Sequence, residues 1–179
     1  ADYIGFVLYP SSPRGIGPLA MARVLDRLEF PYKVVPVFVN TPRSEVEKIA
    51  ADCDLHAVQI HGDEEAAEFE DMPVSVWRAV KMVDGECAPD ITAWKAERYV
   101  VDAAVSGQYG GTGEKADWVA ARELATKVPV MLAGGLVPEN IAEAVKAVEP
   151  LGVDVASGVE YAPGLKDHKK IEDFIKGAR

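Results

Sequence analysis

The sequence lacks any apolar run near the roughly 20 residues that a helix needs to cross a bilayer, and it opens on no signal-peptide pattern. Cysteine is scarce. Cys53 and Cys87 lie far apart without a CxxC spacing, which argues against a disulfide scaffold or a redox motif and points to a reducing cytoplasm. Histidine is scarce too. The three present form no HxH or HExxH pattern, so no metal site is expected. Positive charge is in deficit, with 19 Lys and Arg against 29 Asp and Glu and a net charge of −10. Such a surface repels nucleic acid and gives an anionic membrane no basic patch. A small anionic substrate would therefore need locally placed cations and helix N-termini. Also missing is a GxGxxG turn after the first strand, where Tyr9-Pro-Ser-Ser-Pro-Arg14 stands instead. A doubly wound dinucleotide fold is thereby disfavoured.

What is present is a series of short, nearly all-apolar stretches alternating with amphipathic ones. Tyr3–Tyr9, Lys33–Asn40, Ala57–Gly62, Val76–Met82, Tyr99–Ala104, Val128–Gly135 and Gly152–Gly158 read as parallel strands covered on both faces, since they lack in/out alternation. Pro18–Leu28, Pro42–Cys53, Asp117–Thr126, Pro138–Val148 and Asp167–Lys176 carry helical patterns, with shorter ones at Glu64–Glu70 and Ile91–Ala96. Thr41-Pro42 supplies a cap followed by proline at the first helical position. The strand starts recur at the length of a βα unit and no linker divides the chain, so residues 1–179 are expected to form one α/β domain. Because the glycine signals come late, after the last three strands, a TIM-type barrel is favoured, whose phosphate site lies beyond its last strands.

Five segments carry candidate chemistry. Ala133-Gly134-Gly135-Leu136 leads from a strand into a helix, either as a tight turn or as a phosphate cradle of bare backbone N–H groups. Asp154-Val155-Ala156-Ser157-Gly158 ends the next strand in the same way. Two such turns on one barrel rim favour a shared phosphate. Asp102 closes an apolar strand ahead of Gly110-Gly111-Thr112-Gly113, as a catalytic acid or as a cap of its own loop. Arg14 follows the first strand and could clamp a carboxylate with parallel bonds or form a surface ion pair. His61, after Gln59 and Ile60, is a substrate contact or a satisfied core histidine.

In their order these segments resemble the phosphoribosylanthranilate isomerase family of tryptophan biosynthesis. The matching stretches are Ile4–Pro10 with Ser12-Pro-Arg14, Val37–Asn40, Val58–Gly62, Asp102, Tyr109–Gly113 with Asp117-Trp118, Leu132–Leu136 with Pro138-Glu-Asn140, and Asp154–Glu160 followed by Pro163-Gly164 and Lys166-Asp167. The resemblance implies a TIM (βα)8-barrel type fold. It also implies the Amadori (aldose–ketose) rearrangement of N-(5-phosphoribosyl)anthranilate to 1-(2-carboxyphenylamino)-1-deoxyribulose 5-phosphate, with no cofactor because the imine is its own electron sink. By the same alignment Asp102 is the general acid and Arg14 holds the anthranilate carboxylate. Gln59, His61 and Asp154 line the pocket, and Gly134, Gly135, Ser157 and Gly158 cradle the phosphate.

Family members carry their general-base cysteine in a Lys-Ile-Cys-Gly motif on a first strand, and this chain has no such motif. The expectation is seven of the eight βα units, with the first absent. The strands Tyr3–Tyr9 and Gly152–Gly158 would then be poorly protected edges through which copies self-associate. Two other readings stand beside the isomerase. One is a catalytically silent phosphate-binding barrel fragment or structural module. The other is a barrel enzyme such as indole-glycerol-phosphate synthase, whose lysine and glutamate catalysts find no place at these strand ends.

Overall fold

The computed structural model describes residues 1–29, 32–83, 86–102 and 118–179. It falls into two compact units, Ala1–Arg78 with Thr92–Glu97, and Ala79–Ile91 with Arg98–Arg179.

The first unit contains β1 (Tyr3–Val7), α1 (Pro18–Leu25), β2 (Lys33–Phe38), α2 (Arg43–Cys53), β3 (Ala57–Ile60) and the start of β4 (Ser75–Val83). These strands pair in parallel, β1 with β2, β2 with β3 and β3 with β4. The apolar composition of β2 and β3 explains their burial: Val34, Val35, Phe38, Ala57, Val58 and Ile60 are all buried. Met21 of α1 and Val46 and Ile49 of α2 are buried with them, each contributing about 1.5–3 kcal/mol by leaving water. The expected Thr41 cap is not the observed one. Pro42 occupies the N-cap of α2 without a side-chain cap bond, and its carbonyl accepts from the Glu45 and Val46 amides. The pattern at Glu64–Glu70 folds only as a 3-10 turn, Ala66–Phe69.

The second unit contains β5 (Glu86–Ala88), β6 (Arg98–Asp102), α3 (Trp118–Ala125), β7 (Val130–Ala133), α4 (Ile141–Val148), β8 (Gly152–Val153), β9 (Glu160–Ala162), β10 (Leu165–Lys166) and α5 (His168–Gly177). Here β6, β7 and β8 run parallel. The end of β4 pairs antiparallel with β5, so Cys87 lies in a strand where the sequence suggests a loop. Ile91–Ala93 forms a 3-10 turn in place of a longer helix. Ile141, Ala144 and Val148 recur at helical spacing and give α4 its fully buried stripe. Asp167 caps α5, its carboxylate accepting from the Lys170 amide at 3.1 Å.

The seven expected strands all form; β1, β2, β3, β7 and β8 are shorter than the apolar runs, while β4 extends one residue beyond its run at each end. The stretch read as one strand over Gly152–Gly158 keeps two strand residues, after which Ser157–Val159 coils into a 3-10 turn. The helix expected from Pro138 begins at Ile141.

Candidate active site

In the second unit one rung of the sheet brings two of the candidate residues close together. Asp102 of β6 registers with Ala133 of β7. One residue earlier Leu132 registers with Val153 of β8, and the Asp154 amide donates to the Leu132 carbonyl at 2.8 Å. Asp102 and Asp154 thus flank the small side chain of Ala133 on adjacent strands. With strands about 4.8 Å apart, their Cα atoms lie roughly 10 Å from each other. Registered residues of parallel strands share a face, so both carboxylates project to the same side.

Immediately beyond this rung stand the two glycine turns. Gly134 and Gly135 have φ of 85° and 63°, a left-handed conformation that excludes most side chains at little cost to glycine. A Cβ on Gly135 would meet nothing within 4 Å, so its backbone is bare on that side. Asn140 ties this turn together: its Nδ2 donates to the Gly135 carbonyl at 3.0 Å, and its Oδ1 accepts from the Val137 amide at 2.9 Å. The second turn packs directly on the first, because a Cβ on Gly158 would lie 1.8 Å from the Leu136 carbonyl oxygen. The structure therefore brings Gly134, Gly135, Ser157 and Gly158 together with Asp102 and Asp154. Close packing of protein around Asp154 pushes its carboxyl above the usual aspartate range, and Lys166 and the Val155 amide partly offset the rise. The residue still keeps an exposed surface rather than lying in a sealed core.

Lys166 also steadies the second turn. Its ammonium donates to the Ala156 carbonyl at 2.8 Å and pairs at 3.0 Å with Glu160, whose side chain is almost fully buried. Asn140, Lys166 and Glu160 are not apparent as functional residues from sequence; their only signal there is a polar side chain beside a glycine turn.

The first unit holds the remaining predicted residues. Arg14 is half-buried in a tight turn: the Ser12 amide donates to the Tyr9 carbonyl, and the Ser12 hydroxyl accepts from the Arg14 amide at 3.1 Å. At the end of β3, Gln59 is buried and His61 is exposed. Gln59 Nε2 lies 3.1 Å from His61 Nδ1. An amide nitrogen only donates, so Nδ1 accepts, and the ring carries its proton on Nε2, the nitrogen turned away from Gln59. The loop Gly110–Gly113 lies outside the described residues. Among the described residues no cluster of three or more His, Cys, Asp or Glu could hold a metal.

The family model for N-(5'phosphoribosyl)anthranilate (PRA) isomerase matches residues 1–177. The chain belongs to this family. An N-(5'-phosphoribosyl)anthranilate isomerase of Magnetococcus marinus is 38% identical over 179 residues, all of this chain and 85% of the relative. The phosphoribosyl anthranilate isomerase structure from Thermotoga maritima superposes with a TM-score of 0.85 at 34% identity, over 99% of this chain and 88% of that one. An isomerase of the family in complex with reduced 1-(o-carboxyphenylamino)-1-deoxyribulose 5-phosphate superposes with a TM-score of 0.82 at 32% identity, over 99% of this chain and 87% of that one. The fold is accordingly α/β of the TIM-barrel type. Among the described residues no helix is long and apolar enough to cross a membrane.

Proposed function

We propose that this chain serves the Amadori rearrangement of N-(5'-phosphoribosyl)anthranilate, with Asp102 as general acid and the paired glycine turns as the phosphate cradle. The observation that supports it best is the rung Asp102–Ala133–Asp154 capped by turns in mutual contact. Backbone N–H groups of Gly134, Gly135, Ser157 and Gly158 suit a phosphate, which an acidic protein must bind with local dipoles rather than net charge. Asp102 protonates the furanose ring oxygen, and the ring opens to a Schiff base. Loss of the C2′ proton gives an enolamine, which becomes the ketone. Asp154 lines the pocket beside the acid. Arg14 holds the anthranilate carboxylate, and Gln59 with His61 contacts substrate through the His61 Nε2–H. Residues 1–179 act as one domain.

We assign the C2′ proton acceptor to neither cysteine. Burial pushes the thiols of Cys53 and Cys87 above their ordinary range, and nearby Asp52 and Asp90 add to the effect, so both are poor thiolates. The cytoplasm suits a chain whose two cysteines are free. We further propose self-association through β1 and β8, the outermost strands of the sheet order among the described residues, since β1 is only half-buried where β3 is buried throughout. Light scattering after size-exclusion chromatography tests this, and a monomer at high concentration contradicts it. The activity is tested by following conversion of N-(5'-phosphoribosyl)anthranilate by the wild-type chain and by Asp102→Asn. Turnover in the first and its collapse in the second supports the assignment.

A further inference from the structure

At the end of β3 an arginine is held where arginines are rarely found. Arg78 of β4 is 2% exposed, and burial lowers its pKa while Glu64 and Asp63 pull it back up. Taking a guanidinium out of water is costly unless its donors are used. Here Nη1 donates to the Ile60 carbonyl at 3.1 Å and lies 3.4 Å from a Glu64 carboxylate that is itself 4% exposed. Nη2 donates to the Gly62 carbonyl at 2.6 Å. The guanidinium carbon sits 4.4 Å from the centre of the buried Trp94 ring, which fixes the plane of the fork.

The two carbonyls that Arg78 grips belong to the residues on either side of His61. The peptide is held from the other side as well. The His61 amide donates to the Phe38 carbonyl at 2.9 Å. Asn40, at φ 51°, donates its amide to Glu64 at 2.6 Å and accepts from the Asp63 amide at 2.7 Å. Gly62 fits so tightly that a Cβ would come within 2.7 Å of the Asn40 nitrogen. His61 itself is exposed, so this buried knot does nothing to cover it. What it fixes is the direction in which the imidazole leaves the chain.

We propose that Arg78, with Glu64 as its counter-charge, is a positioning residue that aims His61 at the substrate. The inference rests on the isomerase reading above, in which His61 contacts substrate. Lysine in place of Arg78 keeps the charge, but one ammonium lacks the planar fork that bonds both flanking carbonyls and Glu64 at once.

Two measurements test it. The chain has three histidines, His56, His61 and His168, so ring nitrogen spectra of the free protein resolve each. Arg78→Lys is expected to shift or broaden the His61 signals and to leave His168 unmoved. The reduced product analogue 1-(o-carboxyphenylamino)-1-deoxyribulose 5-phosphate is then titrated into wild type, Arg78→Lys, His61→Ala and the double variant. Arg78→Lys is expected to weaken binding roughly tenfold in the wild-type background and less than about twofold once His61 is gone, the non-additivity of residues acting as a unit. A merely structural arginine would give equal losses in both backgrounds, which overturns the proposal, as do unmoved His61 signals. If Arg78→Lys does not fold, Glu64→Gln is read by the same criteria, because it removes the counter-charge while keeping an acceptor for the Asn40 amide. Failure of wild type to bind the analogue counts against the isomerase reading, and the His61 signals alone then decide the positioning role.

Discussion

Alanine at Gly158 probes the contact on which the phosphate assignment depends. Its Cβ would stand 1.8 Å from the Leu136 carbonyl oxygen and 2.9 Å from the carbonyl carbon. The Leu136 side chain is buried, and Asn140 bonds the residues on both sides of it, so this peptide cannot swing away. Reaching even the 3.0 Å below which Cβ contacts are essentially unseen means separating the turns by about 1.2 Å. Overpacking of this kind costs about 1–3 kcal/mol of stability. A hydrogen bond of about 2.9 Å stretched by that amount is no longer one, so phosphate shared by both turns should bind roughly 10–100-fold more weakly. Gly164→Ala, outside the cradle, is the control. Its φ of 78° makes the substitution cost about 1–2 kcal/mol. It meets open space, however, and so leaves the turns together. Urea denaturation reads stability, and calorimetric titration with the reduced product analogue reads affinity. Wild-type affinity in Gly158→Ala, with the fold intact, would refute a phosphate held between the turns.

Asp102→Asn should lower kcat by roughly 10²–10⁴-fold with KM little changed, measured as steady-state isomerisation, because it removes a proton donor used only in the transition state. Arg14→Ala should instead raise KM at nearly constant kcat, since the carboxylate it holds is remote from the bonds that change. Asp154→Asn should be more stable than wild type at neutral pH in denaturant melts. Its folded pKa is raised, so folding favours the protonated form; the penalty builds as pH rises from the unfolded to the folded value and persists above it. Below the unfolded value the difference between the two proteins should vanish. A stability gain that persists unchanged into acid would contradict the sign.

The sequence made the strand order and the rim residues legible for one reason: strands covered on both faces are apolar throughout, and polar or glycine residues at their ends stand out. Strand ends were less legible. Hydrophobicity continues through Val155 and into Val159, yet the ladder stops at Val153 and Asp154 carries its last bond. The backbone leaves the sheet there so that Ser157 and Gly158 can meet the neighbouring turn, a tertiary demand with no periodic signature. Arg78 was hidden for the opposite reason. It sits inside an apolar strand, where one charged residue gives no hint that its fork reaches the carbonyls flanking His61. The β9–β10 hairpin escaped notice because its strands are only two or three residues long, too short for alternation to register.

The most direct test of the central claim is a crystal structure of this chain with reduced 1-(o-carboxyphenylamino)-1-deoxyribulose 5-phosphate. The account predicts the phosphate between Gly134-Gly135 and Ser157-Gly158, bonded chiefly to backbone N–H groups, with the Asp102 carboxyl facing the sugar-derived carbons. An analogue whose phosphate lies away from these turns would contradict it.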